Sequence, residues 1–286
     1  MTAGEADLGP TGAVWVDGGL VAPGEARVSV FDHGFTVGDG VFETVKVMGG
    51  RPFALGRHLD RLGRSAAALG LGVPLGDRRL RAVVDEVVAA AGLASARLRI
   101  TLTAGVTPLG SGRGSEAPTL VVAAGPLAPF PAETTAVTVP WPRNERSALA
   151  GVKTTSYAEN VVALAEARKV GAGEALMPNT AGDLCEGTGT NVFVARDGDL
   201  VTPPLLAGCL PGVTRALVLE ELPEADEDRI PLAALAEADE VLLTSTTRDV
   251  QPLRMLDGRP LPGVDGPWAR RAMAAIAALQ ARTMEP

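Results

Sequence analysis

Lysine and tyrosine are rare in this chain, and one of each lies in the segment AGVKTTSYAENVV, residues 150–162. The chain has three lysines against 23 arginines, and Tyr157, four residues after Lys153, is its single tyrosine. A guanidinium stays protonated, whereas a partly buried lysine amine loses its proton and can form an imine. The segment therefore makes Lys153 a candidate for Schiff-base chemistry, against the ordinary alternative of a lysine exposed on a helix.

Other candidate groups lie next to predicted turns and could bind a charged ligand. Glu186, in LCEGTGTNVFV, precedes a predicted buried strand, and TSTT (244–247) ends another. Residues 212–214 begin a predicted helix, whose free N–H groups favour an anion. Arg61 lies on an arginine-rich helix face in RHLDRL (57–62). Each group has an ordinary alternative as a cap, an edge residue or a solvated charge. Together with Lys153, however, they match what pyridoxal phosphate needs: an imine-forming lysine, a carboxylate for the pyridinium nitrogen and anion-binding turns.

Composition excludes several classes of function. The 286 residues carry a net charge of −8 with no basic run, which argues against nucleic-acid binding. The sequence contains no run of 18 apolar residues, so it predicts no membrane span. The N-terminus lacks the pattern of a signal peptide. The two cysteines, Cys185 and Cys209, suit a reducing cytosol, so we expect a cytoplasmic protein.

The histidines and glycines argue against a metal, a hydrolytic triad and a dinucleotide. A zinc site would need nearly every Cys and His, at spacings that match no known pattern. His33 and His58 are the only histidines, and no G-x-S-x-G motif is present for a Ser-His-Asp triad. GTGTNV (187–192) lacks the third glycine of a dinucleotide fingerprint and runs into a predicted strand. We therefore expect no metal.

Hydrophobic periodicity predicts an α+β chain with two lobes. In the first lobe, strands are predicted within 13–21, 26–32, 40–55, 96–105 and 118–125, and helices at 56–71 and 77–93. In the second, strands are predicted within 135–141, 174–179, 190–204 and 239–247, and helices at 156–170, 212–222, 232–237 and 266–282. Three prolines in AGPLAPFPAE (124–133) predict a linker. The predicted organisation is a flexible tail (1–12), a small N-terminal domain (13–123), a linker (124–132) and a large C-terminal domain (133–286).

Six motifs occur in order: DHGFTVGDGVFETVKV (32–47), RHLDRL (57–62), GVKTTSY (151–157), CEGTGTNVF (185–193), LPGVTR (210–215) and ADEVLLTSTT (238–247). Together they resemble the class IV, or fold type IV, pyridoxal-phosphate aminotransferases. That family includes D-amino-acid and branched-chain aminotransferases and aminodeoxychorismate lyase. The similarity runs from about Val14 to Leu253. It implies a two-domain α+β fold with a smaller N-terminal α/β lobe and a larger C-terminal lobe containing a β-barrel-like sheet.

The resemblance implies a role for each residue that matches a family motif. Lys153 forms the internal aldimine with pyridoxal 5'-phosphate and shuttles the α-proton, and Glu186 keeps the pyridine nitrogen protonated. Tyr157 bonds the cofactor's 3-oxygen, although it stands one residue closer to the lysine than in the branched-chain pattern. The remaining implied contacts are to the phosphate and the ring: Arg61, Val213, Thr214, Ser245 and Thr246 hold the phosphate, and Leu210 packs on the ring.

The substrate is predicted less directly, from the first motif and TSTT, which resemble the D-amino-acid enzymes most. Leu109 and Ser111 replace the Arg-x-His that grips the α-carboxylate in those enzymes. Arg113 is the predicted replacement cation. Arg27 and Arg143 are alternatives to it, and Phe42 and Thr247 complete the tentative substrate residues. We predict amino transfer from a D-amino acid, and also from (R)-primary amines, to a 2-oxo acid such as 2-oxoglutarate or pyruvate.

Three alternatives remain open at this stage. The first is aminodeoxychorismate lyase, favoured by LAGVKTTSY but not by Glu43, where the lyase pattern has threonine. The second is an L-branched-chain aminotransferase, and the third is a pyridoxal-phosphate carrier without catalysis. Because family members are generally dimers, the resemblance also implies a homodimer.

Overall fold

The structure is a computed structural model that describes residues 11–16, 18–114 and 117–286. Its backbone groups into two compact units: Met1–Ala128 with Thr154–Ser156, and Pro129–Lys153 with Tyr157–Pro286. The predicted tail falls almost wholly outside the described residues. The predicted linker 124–132 begins inside a strand that continues to Pro126, because those residues pair with a neighbouring strand despite the prolines around them.

Within the described residues, the first unit contains a six-stranded antiparallel sheet in the order β2-β1-β6-β5-β3-β4. Alternate residues of β5, such as Leu98, Ile100 and Leu102, are fully buried, as expected when one face of a sheet covers a core. The strands are β1 (Ala13–Val16), β2 (Gly19–Val21), β3 (Gly40–Met48), β4 (Arg51–Pro52), β5 (Ser95–Thr103) and β6 (Thr119–Pro126).

The helices of the first unit are α1 (His33–Thr36), α2 (Leu55–Ala68) and α3 (Asp77–Ala91). Helix α2 packs against β3, and α3 packs against β1 and β6. Buried residues recur along α3 at helical spacing, including Leu80, Val84 and Val88. The predicted helices 56–71 and 77–93 agree with α2 and α3 to within one turn.

Residues 26–32 do not form the predicted strand. Val28 and Val30 alternate as strand residues do, but their side chains are exposed and the backbone is irregular. Asp32 ends the segment by capping α1, where its Oδ1 accepts a hydrogen bond from Gly34 N at 2.8 Å. Its Oδ2 accepts from the Thr103 and Thr119 hydroxyls at 2.9 and 2.7 Å. These side-chain bonds hold the end of the segment together with an isolated bridge between Asp32 and Val106, and no extended ladder forms.

Within the described residues, the second unit contains a nine-stranded mixed sheet in the order β12-β11-β10-β13-β14-β7-β8-β9, with β15 beside β14. The pairs β14–β7, β7–β8 and β11–β12 are parallel. The strands are β7 (Thr134–Thr138), β8 (Glu174–Pro178), β9 (Leu184–Gly187), β10 (Asn191–Arg196), β11 (Asp199–Thr202), β12 (Ala225–Glu227), β13 (Glu240–Ser245), β14 (Asp249–Leu256) and β15 (Arg259–Pro260).

The helices of the second unit are α4 (Ala158–Lys169), α5 (Val213–Glu221) and α6 (Pro267–Arg282), close to the predicted bounds. The predicted helix 232–237 is a 3-10 helix. Strands β9 and β14 were not expected: β9 has only four residues, and β14 carries Pro252, which argues against a strand in sequence. None of the described helices is long and apolar enough to cross a membrane.

Candidate active site

The half-buried Lys153 ends a loop of the second unit, and the residues that follow it are fastened within the first. Thr155 N donates to Gly40 O at 2.8 Å, and the Thr155 and Ser156 hydroxyls donate to Gly38 O at 2.8 and 3.0 Å. A Cβ on Gly40 would lie 2.7 Å from Leu102 O, so the close approach requires glycine there. The GDG turn therefore fixes the backbone immediately after Lys153.

Glu186 lies on β9 and is 9% exposed. Its Oε2 accepts a hydrogen bond from Leu210 N at 2.9 Å, and its Oε1 is 3.2 Å from Arg143 Nη2. Burial raises the pKa of Glu186, and Arg143, the Leu210 N–H and Lys153 oppose that rise. The structure thus brings three predicted residues, Lys153, Glu186 and Leu210, into one electrostatic environment of the second unit.

Tyr157 immediately precedes α4 and contacts the loop that follows Glu186. Its hydroxyl donates to Thr188 O at 3.0 Å, and Asn160 Nδ2 donates to the same carbonyl at 2.6 Å. On its other side Thr188 donates from N to Glu174 Oε1 at 3.0 Å. A phenol has one proton. A bond donated by Tyr157 to a cofactor oxygen would therefore have to replace the bond to Thr188, whereas the phenol oxygen can accept a bond while that bond stays in place.

The start of α5 has the features of an anion site. The first N–H groups of a helix have no intrahelical acceptor, and the N-cap residue here, Gly212, supplies no side-chain acceptor in its place. Val213 and Thr214 are the first two helical residues, and both are buried. A Cβ on Gly212 would lie 1.9 Å from Asn191 Oδ1, so any larger residue there would have to displace the Asn191 side chain.

The end of β13 lies beside this helix start. Thr244 pairs with Asn191, the residue that contacts Gly212. Among the described residues the buried Thr244 hydroxyl has no hydrogen-bond partner, and Ser245, Thr246 and Thr247 follow it, all half-buried. Ser245 Oγ accepts from Arg248 N at 3.3 Å. A helix N-terminus beside a row of hydroxyls, one of them buried and unsatisfied, fits a phosphate group.

Arg61 lies in the first unit and is 3% exposed. Its Nε and Nη2 donate to the two oxygens of Glu43 at 2.8 and 2.7 Å, and His58 Nδ1 lies 2.7 Å from Glu43 Oε2. Burial opposes ionisation of Glu43, but Arg61 and His58 outweigh it and lower the pKa of this carboxyl to about 2. Glu43 thus fixes the arginine predicted to hold the phosphate.

The tentative substrate residues of the first unit each contact a partner within that unit. Phe42 is buried on β3 with the Arg99 guanidinium 3.7 Å from its ring centre. Arg27 is exposed and donates to Gly24 O at 2.7 Å. Arg113 Nε and Nη2 each donate to Asp39 at 2.6 Å, and Arg113 lowers the pKa of Asp39 despite partial burial. Arg113 is therefore paired with a carboxylate already, and its role as the substrate clamp stays a prediction.

Sequence reasoning missed the residues that support the site. The sequence predicts Arg143 only as an alternative substrate cation, whereas in the structure it pairs with Glu186. Asn160 and Glu174 lie outside the six motifs. Glu43 lies in the first motif, but in the sequence it only separates this chain from the lyase pattern.

Comparison with known proteins identifies the family. The family described as Amino-transferase class IV matches residues 40–256. The chain belongs to the class IV aminotransferases. A putative branched-chain-amino-acid aminotransferase of Methanocaldococcus jannaschii is 36% identical to it over 254 residues, covering 86% of this chain and 88% of that protein. A D-alanine aminotransferase of Bacillus licheniformis is 29% identical over 283 residues, covering 92% and 95%.

Solved structures agree with this assignment. A branched-chain aminotransferase from Thermoproteus uzoniensis with norvaline superposes with a TM-score of 0.87 at 32% identity, covering 95% of both chains. A second branched-chain amino acid aminotransferase, from T.th. and with pyridoxamine 5'-phosphate, has a TM-score of 0.88 at 28% identity, covering 96% of this chain and 95% of that one. This class IV aminotransferase thus has the α+β fold type IV architecture and is a pyridoxal-phosphate-dependent enzyme, as predicted, rather than a non-catalytic carrier.

Proposed function

We propose that this aminotransferase moves an amino group from a D-amino acid to a 2-oxo acid such as 2-oxoglutarate or pyruvate. The observation that carries amino transfer is the buried Glu186, which shares one electrostatic environment with Lys153. The D-amino-acid preference is supported by the first motif, DHGFTVGDGVFETVKV, and by D-alanine aminotransferases similar over 86–92% of the chain. (R)-Primary amines are proposed as further donors because Leu109 and Ser111 replace the carboxylate clamp.

The proposed roles follow from what each side chain can do. When bound, pyridoxal phosphate supplies an electron sink for the charge that develops at the α-carbon. Lys153 attaches the cofactor and carries the α-proton, and the Glu186 carboxylate keeps the proton on the ring nitrogen. Tyr157 binds the 3-oxygen, and Leu210 packs on the ring while its N–H holds Glu186 at 2.9 Å.

The phosphate is proposed to bind at the start of α5, where Val213 and Thr214 offer backbone N–H groups and a hydroxyl. Ser245 and Thr246 add hydroxyls from the end of β13. The unsatisfied Thr244 hydroxyl beside them supports the assignment, because a buried hydroxyl without a partner is unfavourable unless a ligand supplies one. Arg61 is proposed for the same phosphate on the family resemblance alone.

An L-branched-chain amino acid is the second candidate donor. It is favoured by the 36% identity to the putative branched-chain enzyme and by the similar structures of branched-chain aminotransferases. The similarity to a putative 4-amino-4-deoxychorismate lyase, at 24% identity, supports the fold alone. The lyase reaction therefore has no observation in its favour beyond the sequence motifs.

One donor panel decides between these functions. Purified enzyme is given D-alanine, L-leucine or L-valine with 2-oxoglutarate, D-glutamate with pyruvate, and aminodeoxychorismate alone. The glutamate or alanine produced is resolved on a chiral column. We expect D-donors to react and L-leucine to react poorly. A clear preference for L-leucine would establish the branched-chain function instead, and dominant pyruvate release from aminodeoxychorismate would establish the lyase.

We also propose that the enzyme is a homodimer in the cytoplasm. The first unit exposes a group of apolar side chains near the bridge between Asp32 and Val106: Val28, Val30, Phe31, Phe35, Val37, Val106 and Leu109. Such groups mark association surfaces, and twofold dimers are the commonest oligomers. Phe35→Asp should convert the dimer to a monomer in analytical ultracentrifugation, and an unchanged mass would remove this surface from the interface. The buried free thiols of Cys185 and Cys209 support a reducing compartment.

A further inference from the structure

Arg143 is the residue that contacts Glu186 by an ion pair. It lies in the loop between β7 and Lys153, and its Nη2 is 3.2 Å from Glu186 Oε1. Its backbone N donates to Pro178 O at 2.7 Å, and Arg143 forms a parallel bridge with Asn179. The backbone is thus anchored to the end of β8 independently of the guanidinium, so the side chain can be changed without removing the anchor.

Asn160, which is 4% exposed on α4, orients Arg143. Its Oδ1 accepts from Arg143 Nη1 at 3.3 Å, and its Nδ2 donates to Thr188 O at 2.6 Å. Only one orientation of the amide satisfies both bonds, so the position of each group depends on the other. Because Tyr157 donates to the same carbonyl, one hydrogen-bonded chain runs from Glu186 through Arg143, Asn160 and Thr188 to Tyr157.

Arg143 is held there at an energetic cost. Its Nε is buried and has no hydrogen-bond partner among the described residues, and an unsatisfied buried donor is unfavourable. Glu159 lies 3.9 Å from Nη1 but is mostly exposed, so it competes weakly with Glu186 for the guanidinium. Neither packing nor pairing with Glu159 alone would therefore favour this position of the Arg143 guanidinium against Glu186.

Several charged groups act on Glu186 from the elements around it. Arg143 and Lys153 favour its ionised form, whereas Glu174 on β8 opposes it. The thiols of Cys185 and Cys209 are buried, and their pKa values are raised, so they contribute no charge at neutral pH. Lys153 is assigned to bind the cofactor, whereas an arginine stays protonated under all ordinary conditions. Among the described residues, Arg143 is thus the permanent cation in contact with Glu186.

We propose that Arg143, oriented by Asn160, is a positioning residue that keeps the Glu186 carboxylate ionised and thereby keeps the proton on the ring nitrogen of the cofactor. The proposal rests on the function proposed for Glu186. With Arg143 in place, the proton shared by the carboxylate and the nitrogen resides on the nitrogen. Without the guanidinium the carboxylate is the better base of the two, and the proton moves to it.

The location of that proton can be measured without turnover. The enzyme is loaded with pyridoxal phosphate labelled with ¹⁵N in the ring, and the ¹⁵N chemical shift reports whether the nitrogen is protonated. In Arg143→Gln the signal should move towards the unprotonated position at pH 7.5, and in Arg143→Lys, which retains a cation, it should return most of the way. Arg146→Gln, in the same loop but 87% exposed, is the matched control and should leave the signal unchanged.

Glu186→Gln tests the role proposed for Glu186 separately from the role proposed for Arg143. If it leaves the ¹⁵N signal unmoved, the role proposed for Glu186 is wrong and the role of Arg143 falls with it. If Glu186→Gln moves the signal and a folded Arg143→Gln does not, only the role of Arg143 is overturned. Should Arg143→Gln not fold, Asn160→Ala removes the orienting amide while keeping the charge; it should move the signal in the same direction by less, and no movement would overturn the proposal.

A double-mutant cycle supplies a second readout. Arg143→Gln alone should slow the half-reaction with the amino donor by about tenfold, within the range of coupling seen between contacting residues. In the Glu186→Gln background it should have little further effect, because Arg143 acts through the carboxylate. Additive losses would instead indicate a structural role for Arg143 and overturn the proposal.

Discussion

Glu43 in the first unit and Glu186 in the second are both buried beside an arginine, yet their pKa values move in opposite directions. Glu43 accepts two hydrogen bonds from Arg61 and lies within bonding distance of His58, and its pKa falls to about 2. Glu186 has one guanidinium contact at 3.2 Å and one backbone N–H, and its pKa rises. Burial disfavours the charge at both sites, and the number and length of the opposing bonds decide the direction.

The difference indicates different uses of the same pair of residue types. A carboxylate that accepts several short hydrogen bonds stabilises the fold. Its pKa lies far below neutral pH, and it stays ionised and paired with its arginine. A buried carboxylate with fewer partners can exchange a proton with a ligand, and perturbed carboxyls of this kind cluster at functional sites. The following predictions test that division, from the largest expected effect to the smallest.

Lys153→Ala should remove catalysis while leaving the fold intact. Positioned proton transfer alone contributes about 10²–10⁴-fold, and the covalent link to the cofactor is lost as well. Borohydride reduction followed by mass spectrometry should find no cofactor attached to the variant, and the half-reaction should be at least about 10⁴-fold slower. Lys169→Ala, at an exposed lysine paired with Glu166, is the control. Cofactor trapped on the alanine variant at wild-type yield would contradict the assignment.

Glu43→Gln should destabilise the protein by about 3–5 kcal/mol, because the buried Arg61 guanidinium then faces a neutral amide. Urea unfolding of the cofactor-free protein measures the loss. Glu86→Gln breaks an exposed pair with Arg79, and it should cost less than about 1 kcal/mol. Equal losses in the two variants would show that burial does not raise the contribution of the Glu43–Arg61 pair to the free energy of unfolding.

The pH dependence of unfolding should have opposite signs at the two glutamates. The pKa of Glu43 is lower in the folded protein, so its contribution is present above the unfolded pKa of about 4.3 and is lost as pH falls towards 2. That contribution amounts to about 3 kcal/mol. The pKa of Glu186 is raised, so its ionisation lowers stability as pH rises above about 4.3.

Denaturation of the cofactor-free wild type and both glutamine variants between pH 3 and 8 tests these signs. The deficit of Glu43→Gln relative to wild type should shrink below about pH 4.3, the unfolded pKa. Glu186→Gln should gain on the wild type as pH rises. Parallel curves for the two variants would mean that the carboxyls do not differ in the way described.

Glu186→Gln should slow the half-reaction by about 10²-fold, since an amide cannot hold the ring-nitrogen proton and loses one electrostatic contribution to catalysis. Its unfolding free energy near pH 7 should differ from that of the wild type by much less than the Glu43→Gln loss. Single-turnover absorbance with the amino donor measures the rate, and Glu237→Gln, at a mostly exposed carboxylate, is the control. An unchanged rate would reassign Glu186 to a structural role.

Arg113→Ala should have the smallest effect on stability, about 1 kcal/mol or less, because its pair with Asp39 is partly exposed to solvent. If Arg113 also holds the substrate carboxylate, the variant should raise KM for a D-amino acid more than for an (R)-amine, which has no carboxylate. Initial-rate kinetics with both donors check this, and equal changes in the two KM values would remove Arg113 from substrate binding.

Local features of the chain could be predicted from the sequence, because they depend on residues close together along it. The period of buried residues predicts α2 and α3, and the six motifs predict the family that the comparisons confirm. Local patterns failed where pairing decides. Residues 26–32 alternate as strand residues do but have irregular backbone, and β14 forms despite Pro252 because β13 and β7 lie beside it.

By itself, the sequence determined the class of chemistry: a lysine among arginines, an acidic residue before a glycine-rich turn, and the hydroxyls and helix start that suit a phosphate. Only the tertiary structure decided how the support is built. Arg143 meets Glu186 across 43 positions of the chain, and Thr155 meets Gly38 across 117. Such contacts depend on how strands and loops pack. The pKa of a buried carboxyl depends on the local dielectric and on the partners that this packing brings to it. That is why the sequence could mark Glu186 as a candidate for chemistry, whereas only the fold shows that Glu43 is the buried partner of Arg61 and His58.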